Sequence, residues 1–288
     1  MEGVGELRAQ LPRAIVSIPE VLERALTPFV TAAHAGTLTA SQAAQLVEGS
    51  SVAASRRELA ELPLEAVRPL MRQTFSRRAT WALFTVEWLD SLQRLLALLH
   101  VGDARVCEVC AGGGVLAQLM RARGVDWVAS DANPPRGAQE LVVRQGALEA
   151  VAAQASVGAV FWAWWSKPRD ATKRKHTGAD APLRAAVGGG GDADSGSTAS
   201  SIAPEDRRLV EACVARGIPV VFVSEPRGGI TGSCELWDGP YEVSSAAELC
   251  AAASIAFEDV PQWPGFSDRT FVVLPPTHPR AAPTKLGP

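Results

Sequence analysis

The run CEVCAGGGVLAQLM, residues 107–120, holds an acid at Glu108, a C-x-x-C and a glycine triplet that opens an apolar stretch. Gly112-Gly113-Gly114-Val115-Leu116-Ala117 fits G-x-G-x-x-[G/A], and Asp131 lies about twenty residues further on, at the end of a second apolar run. Glycines let a backbone approach a ligand and leave the N–H groups of the following helix free for an anionic group. An acid at Asp131 could accept hydrogen bonds from both hydroxyls of a ribose. The loop alone is therefore open to a dinucleotide or to an adenosyl ligand. Glu108 separates the two: a carboxylate repels a diphosphate and attracts a primary ammonium. S-adenosylmethionine carries an ammonium and NAD does not, so S-adenosylmethionine is the expected cofactor.

The C-x-x-C points elsewhere than to a metal. Side chains on a strand alternate with a period of two, so Cys107 and Cys110 are expected on opposite faces, where they could neither share a metal nor close a disulfide. No second cysteine pair exists, and His34, His100, His176 and His278 do not cluster with these two, so no metal site is expected. Trp162, Trp164 and Trp165 crowd the end of a later apolar run. They are expected either to wall the site, with Trp162 against the cofactor, or to pack against flanking helices. The segment VSEPRGGITGSCELWDG, residues 223–239, follows another apolar run. Ligands of open α/β sheets sit outside the carboxyl ends of strands. Glu225 is accordingly the candidate catalytic residue, as general base or substrate anchor; the alternative is a tight turn with a solvated acid.

The stretch VCEVCAGGGVLAQLMRARGVDWVASDAN, residues 106–133, resembles motif I and the next strand of class I, Rossmann-like S-adenosylmethionine-dependent methyltransferases. Their pattern is two hydrophobic residues, an acid, then x-G-x-G-x-G. The likeness covers roughly residues 75–274 in architecture and about 105–131 in specific motif. It implies that Glu108 is the motif acid, that Gly112 and Gly114 are the second and third glycines, and that Asp131, with Ala132 beside it, holds the ribose. Cys110 takes the place of the first glycine, followed by Ala111. Many members carry an aspartate near the adenine after the third strand; here Gly146 and Ala147 would contact adenine through the backbone. FWAWWSKP lacks the [D/N]-P-P-[Y/F] of amino-methylating members, and Asn133-Pro134-Pro135 follows the second strand instead and reads as a turn. Methylation of a nucleic-acid amino group is therefore disfavoured, and a small molecule or a protein is the expected acceptor. SRRATWALFTVEWLD, residues 76–90, resembles the helical lead-in that such domains place over the donor pocket, where Arg77 or Arg78 would reach the donor carboxylate; the alternative, and the preferred reading, is that both are helix-surface arginines. Two other readings stay open. An NAD(P)- or FAD-linked oxidoreductase would make Glu108 dispensable. A catalytically degenerate scaffold or interaction protein is favoured by Cys110, Gly146 and the missing fourth-strand motif.

The elements that must position these residues follow from periodicity. Residues 1–100 read as a helical extension. Thr39 with Gln42 forms a capping box and Gly49 a stop, and Val86, Leu89, Leu92, Leu95, Leu96 and Leu99 share one helical face. From residue 101 to 280, apolar runs alternate with helical segments: RVCEVC, DWVASD, a short third strand in ELVVRQGALEA, GAVFWAWW, IPVVFVSE, SIAFEDV and RTFVVLP. This spacing predicts an α/β, doubly wound, mostly parallel sheet with short return strands at the end. Residues 166–203, with the basic run SKPRDATKRKH and a Gly/Ser-rich piece, are expected to be a disordered insertion, and 281–288 a disordered tail.

A net charge of −3 writes neither nucleic-acid nor membrane binding into the chain. The amino-terminal MEGVGELRAQLPR has no apolar h-region, and no apolar run reaches the length of a membrane span. Five scattered cysteines suit a reducing compartment. A cytoplasmic location is expected, with the basic run 167–175 as a second expectation of nuclear import.

Overall fold

A computed structural model describes residues 14–50, 63–163, 204–227 and 233–280. The expected insertion, Trp164, Trp165 and the tail lie outside the described residues.

The amino-terminal helices are α1 (Ala14–Ala35), α2 (Ala40–Glu48), α3 (Leu64–Arg78) and α4 (Val86–Leu98). Their ends are set by local chemistry. Thr39 caps α2, its hydroxyl accepting from Gln42 N while Gln42 Oε1 accepts from Thr39 N, and Gly49 closes the helix in the left-handed region, at φ 79°. Thr85 caps α4 by accepting from Trp88 N. Val21, Leu22, Leu26, Leu46, Met71 and Phe75 of α1–α3 share a core of their own, which Trp263 of the carboxyl-terminal half completes. α4 does not belong to it: Trp88, Leu89, Leu92, Leu95 and Leu96 are buried against the sheet. The extension as a packed unit thus ends ahead of α4, short of the boundary expected at residue 100.

The remaining elements are β1 (Arg105–Glu108), α5 (Val115–Ala122), β2 (Trp127–Asp131), β3 (Val142–Arg144), α6 (Ala147–Ala153), β4 (Val157–Ala163), α7 (Glu205–Ala215), β5 (Val220–Ser224), α8 (Cys234–Trp237), β6 (Val243–Ser245), α9 (Ala246–Ala252) and β7 (Arg269–Val273). The strands form one seven-stranded sheet in the order β3-β2-β1-β4-β5-β7-β6. β1 to β5 pair in parallel, and β7 runs antiparallel to both of its neighbours. α4, α5 and α9 cover one face and α6, α7 and α8 the other. That two-sided burial is why β5, Val-Val-Phe-Val-Ser, reads as an unbroken buried run rather than an alternation.

One expected strand is absent. SIAFEDV, residues 254–260, has no strand, although its burial alternates with a period of two. Glu258 N donates to Ser91 Oγ of α4 at 2.9 Å, and β7 already has β5 and β6 on its two edges, so it offers this segment no edge to pair with. The return strand that pairs with β7 is β6, three residues long. The strand order reverses between β1 and β4, which makes the carboxyl ends of those two strands the topological switch point, where open α/β sheets bind ligands.

Candidate site at the switch point

β1 ends on Glu108, and the chain then turns through six residues before α5. Cys110 has φ 55°, Gly112 φ 55° and Gly114 φ 74°, whereas Ala111 and Gly113 between them stay outside the left-handed region. The every-second-residue glycine pattern is therefore conformational. Cys110 occupies a backbone state that costs a residue with a Cβ about 1–2 kcal/mol. Three hydrogen bonds hold the turn: Ala111 N donates to Ser130 O, Gly112 N to Asp131 Oδ2, and Gly114 N to Ala111 O. At Gly114 a Cβ would meet Val142 Cγ2 at 2.7 Å, so this glycine also lets α5 pack close to β3. At Gly112 and Gly113 a Cβ would meet nothing within 4 Å.

Glu108 is buried, with 4% of its surface exposed. Its Oε2 accepts from Trp127 Nε1 at 2.8 Å, the Ala117 N–H in the first turn of α5 also donates to it, and the Arg121 guanidinium lies nearby. Burial outweighs these favourable contacts and pushes its carboxyl up to about 8. The Cys110 thiol is pushed up to about 12, by burial first and then by the neighbouring acids. Cys110 lies past the end of β1, so strand alternation does not reach it: Cys107 and Cys110 pack on the same side core, contrary to the opposite faces expected. Both are free thiols, and among the described residues no group of His, Cys, Asp and Glu is placed to hold a metal.

A cavity of about 410 Å³ opens over this turn. Its floor is Glu108, Cys110, Ala111, Gly112 and Gly113, with Ala163 at the end of β4. One wall is the segment from Ser76 to Phe84, which includes Arg77, Arg78 and Trp81; the other is the loop after β2, with Pro135, Arg136, Ala138 and Leu141. Residues of the segment 76–84 thus wall the cavity over the β1–α5 turn. Arg78 is committed to the extension: its Nη1 donates to Glu23 O and Thr27 Oγ1, and its own carbonyl accepts from His34 Nε2.

The structure does not gather every expected residue here. Gly114, Asp131, Ala132, Gly146, Ala147, Trp162 and Glu225 are not among the residues that line the cavity. Asp131 holds the turn instead, Oδ2 accepting from Gly112 N and Oδ1 from Asn133 N. Ala132 is exposed, and its carbonyl accepts from Arg144 Nε. Gly146 caps α6, its N–H donating to Glu149 Oε2, and Ala147 is buried in the first turn. Trp162 is wholly buried and stacked on Phe222, centroids 4.9 Å apart, on the sheet face opposite α5. Glu225 is buried after β5 among charges rather than in solvent. Asp268 faces it and is pushed up to about 7, by burial first and then by Glu225, while the Arg72 guanidinium of α3 opposes that shift. Trp81, Arg136 and Asp268 are not singled out by the sequence, because no local pattern marks them.

Among the described residues no helix is long and apolar enough to cross a membrane. A scan against protein-family models finds no match, and a search of curated proteins finds none either.

Proposed function

We propose that the chain binds S-adenosylmethionine in this cavity and acts as a methyltransferase on a small molecule or a protein. The observation that carries the reading is Glu108: a buried acid at the switch point, on the floor of a cavity whose glycine turn presents open space at Gly112 and Gly113. An ammonium fits that acid and a diphosphate does not. Gly113 needs neither a left-handed backbone nor a close internal contact, so a ligand lying on the turn is a physical reason for its missing side chain. When bound, the cofactor supplies an electrophilic methyl group. The protein's part is to align acceptor and methyl carbon and to keep the ammonium end in place.

Binding would draw the proton off Glu108, because an ammonium stabilises its ionised form. Affinity should therefore strengthen as pH rises toward 8, by up to about tenfold per pH unit. The sheet also counts against a dinucleotide: antiparallel β7 interrupts the second half, where a dinucleotide fold continues in parallel. The degenerate-scaffold reading keeps one observation in its favour, since both oxygens of Asp131 already accept backbone N–H groups. Each carboxylate oxygen has a second lone pair, which leaves capacity for a ribose hydroxyl.

Calorimetric titration with S-adenosylmethionine, S-adenosylhomocysteine and NADH tests the proposal, alongside a Glu108→Ala, Asp131→Ala double variant. Saturable adenosyl binding that the variant loses supports it. Binding of NADH alone overturns the cofactor, and no binding at all favours the scaffold.

A further inference from the structure

The cavity holds more positive charge than the donor can balance. Among the described residues, Arg77, Arg78 and Arg136 line it against one acid, Glu108. Arg78 is tied to α1, but Arg77 and Arg136 make no hydrogen bond or ion pair with another described residue and stand on opposite walls. S-adenosylmethionine carries a sulfonium, an ammonium and a carboxylate. Glu108 answers the ammonium and one guanidinium answers the carboxylate. The second guanidinium, exposed to solvent and without a protein anion among the described residues, is then open to an anionic group of a second ligand.

Two further features narrow that anion. Trp81, which lines the cavity with Arg77, is 55% exposed, and the Arg72 guanidinium lies over its ring 5.4 Å from the centroid, so the exposed part of the ring is what a flat ligand would meet. A neutral acceptor would also have to lose a proton. The Cys110 thiol, pushed up to about 12, and Glu108, turned to the ammonium, are poorly suited to take it, and His34, which also lines the cavity, has its Nε2 on the Arg78 carbonyl. An acceptor that arrives ionised needs none of the three.

Resting on the donor pocket proposed above, we propose that the methyl acceptor is a small carboxylic acid with a flat apolar body, its ring against Trp81 and its carboxylate on Arg77. With Arg78 tied to α1 and Arg77 given to the acceptor, Arg136, on the loop that leaves Asp131, serves the donor's carboxylate in place of the arginines that the resemblance implied. A carboxylate oxygen forms a bond to the methyl carbon, the carbon–sulfur bond breaks with its electron pair passing to sulfur, and a methyl ester and a neutral thioether result. No proton moves.

The experiment is calorimetric titration of the full chain, first loaded with S-adenosylhomocysteine, with benzoate, cinnamate and 2-naphthoate and with the matching amides. The carboxylates should bind at least about tenfold more tightly than the amides. Arg77→Ala and Trp81→Ala should each lose about tenfold of that affinity while S-adenosylhomocysteine binding stays within about twofold, and Arg77→Lys should recover part of it. Arg136→Ala should weaken S-adenosylhomocysteine instead. With methyl-labelled S-adenosylmethionine, the label should appear in a product that releases methanol in alkali. Equal binding of acids and amides, no carboxylate binding to the loaded protein, or an Arg77→Ala that weakens S-adenosylhomocysteine rather than the carboxylates would each overturn the proposal and leave the donor pocket standing. Failure of S-adenosylhomocysteine to saturate the protein would overturn both.

Discussion

The turn between β1 and α5 has two sides, and glycine sits on each for a different reason. On the packed side, Gly114 combines a left-handed backbone with a β3 neighbour too close for any Cβ. On the open side, Gly113 has neither constraint and faces the cavity. The packed side is where the fold constrains the sequence; the open side is where a ligand would. Glu108 belongs to both, because it holds Trp127 and the first turn of α5 while forming the cavity floor.

The largest effect should come from the packed side. Gly114→Ala adds a left-handed penalty of about 1–2 kcal/mol to an overpacking cost of similar size, so a loss of about 3 kcal/mol is expected in urea denaturation. A loss under about 1 kcal/mol would mean that the two sides do not differ as described.

Glu108 gives the next largest effect, through pH. Its carboxyl stands at about 8 in the folded chain, well above the ordinary carboxylate range, so the folded state holds a proton that the unfolded state has released. Stability must then fall as pH rises from the unfolded value toward 8, by about 2 kcal/mol between pH 6 and pH 8. Asp268, pushed up to about 7, contributes with the same sign. Glu108→Gln should flatten the slope in thermal melts recorded across that range without abolishing it, and should also remove the pH dependence of donor binding. An unchanged slope would place the titration elsewhere.

Gly113→Ala sharpens the contrast from the open side. Its stability should stay within about 0.5 kcal/mol of the parent, while affinity for S-adenosylhomocysteine drops about tenfold in the same calorimetric assay. The smallest effect is expected at Cys110. Cys110→Gly relieves the left-handed penalty but frees the unfolded chain, so the two terms offset to within about 1 kcal/mol.

Much of the scaffold was legible because it rests on short-range rules. Thr39, Gln42 and Gly49 mark the ends of α2, and the runs at β1, β2, β4 and β5 are apolar because the sheet is covered on both faces. The site was legible only in part. Glu108, Cys110, Ala111 and Gly112 come together because they are consecutive on one turn. Trp162 illustrates the opposite case: a period of two allows either face of β4 to turn toward the cavity, and it is Ala163 that does. SIAFEDV has the alternation of a strand, but β5 and β6 occupy both edges of β7, and Glu258 N is held by Ser91 of α4 instead. Glu225 reads as a loop acid until α3 and the residue before β7 bring Arg72 and Asp268 against it.

The sequence by itself determined the α/β alternation, the helix caps, and a glycine turn with an acid ahead of it, since each depends on residues a few positions apart. Only the tertiary structure decided which groups face the cavity. Arg77, Trp81 and Arg136 meet the turn from two distant stretches of chain, and Asp131 is drawn into the turn's own hydrogen bonds. Such contacts are set by how helices and loops pack across a sheet, and no local periodicity encodes that packing.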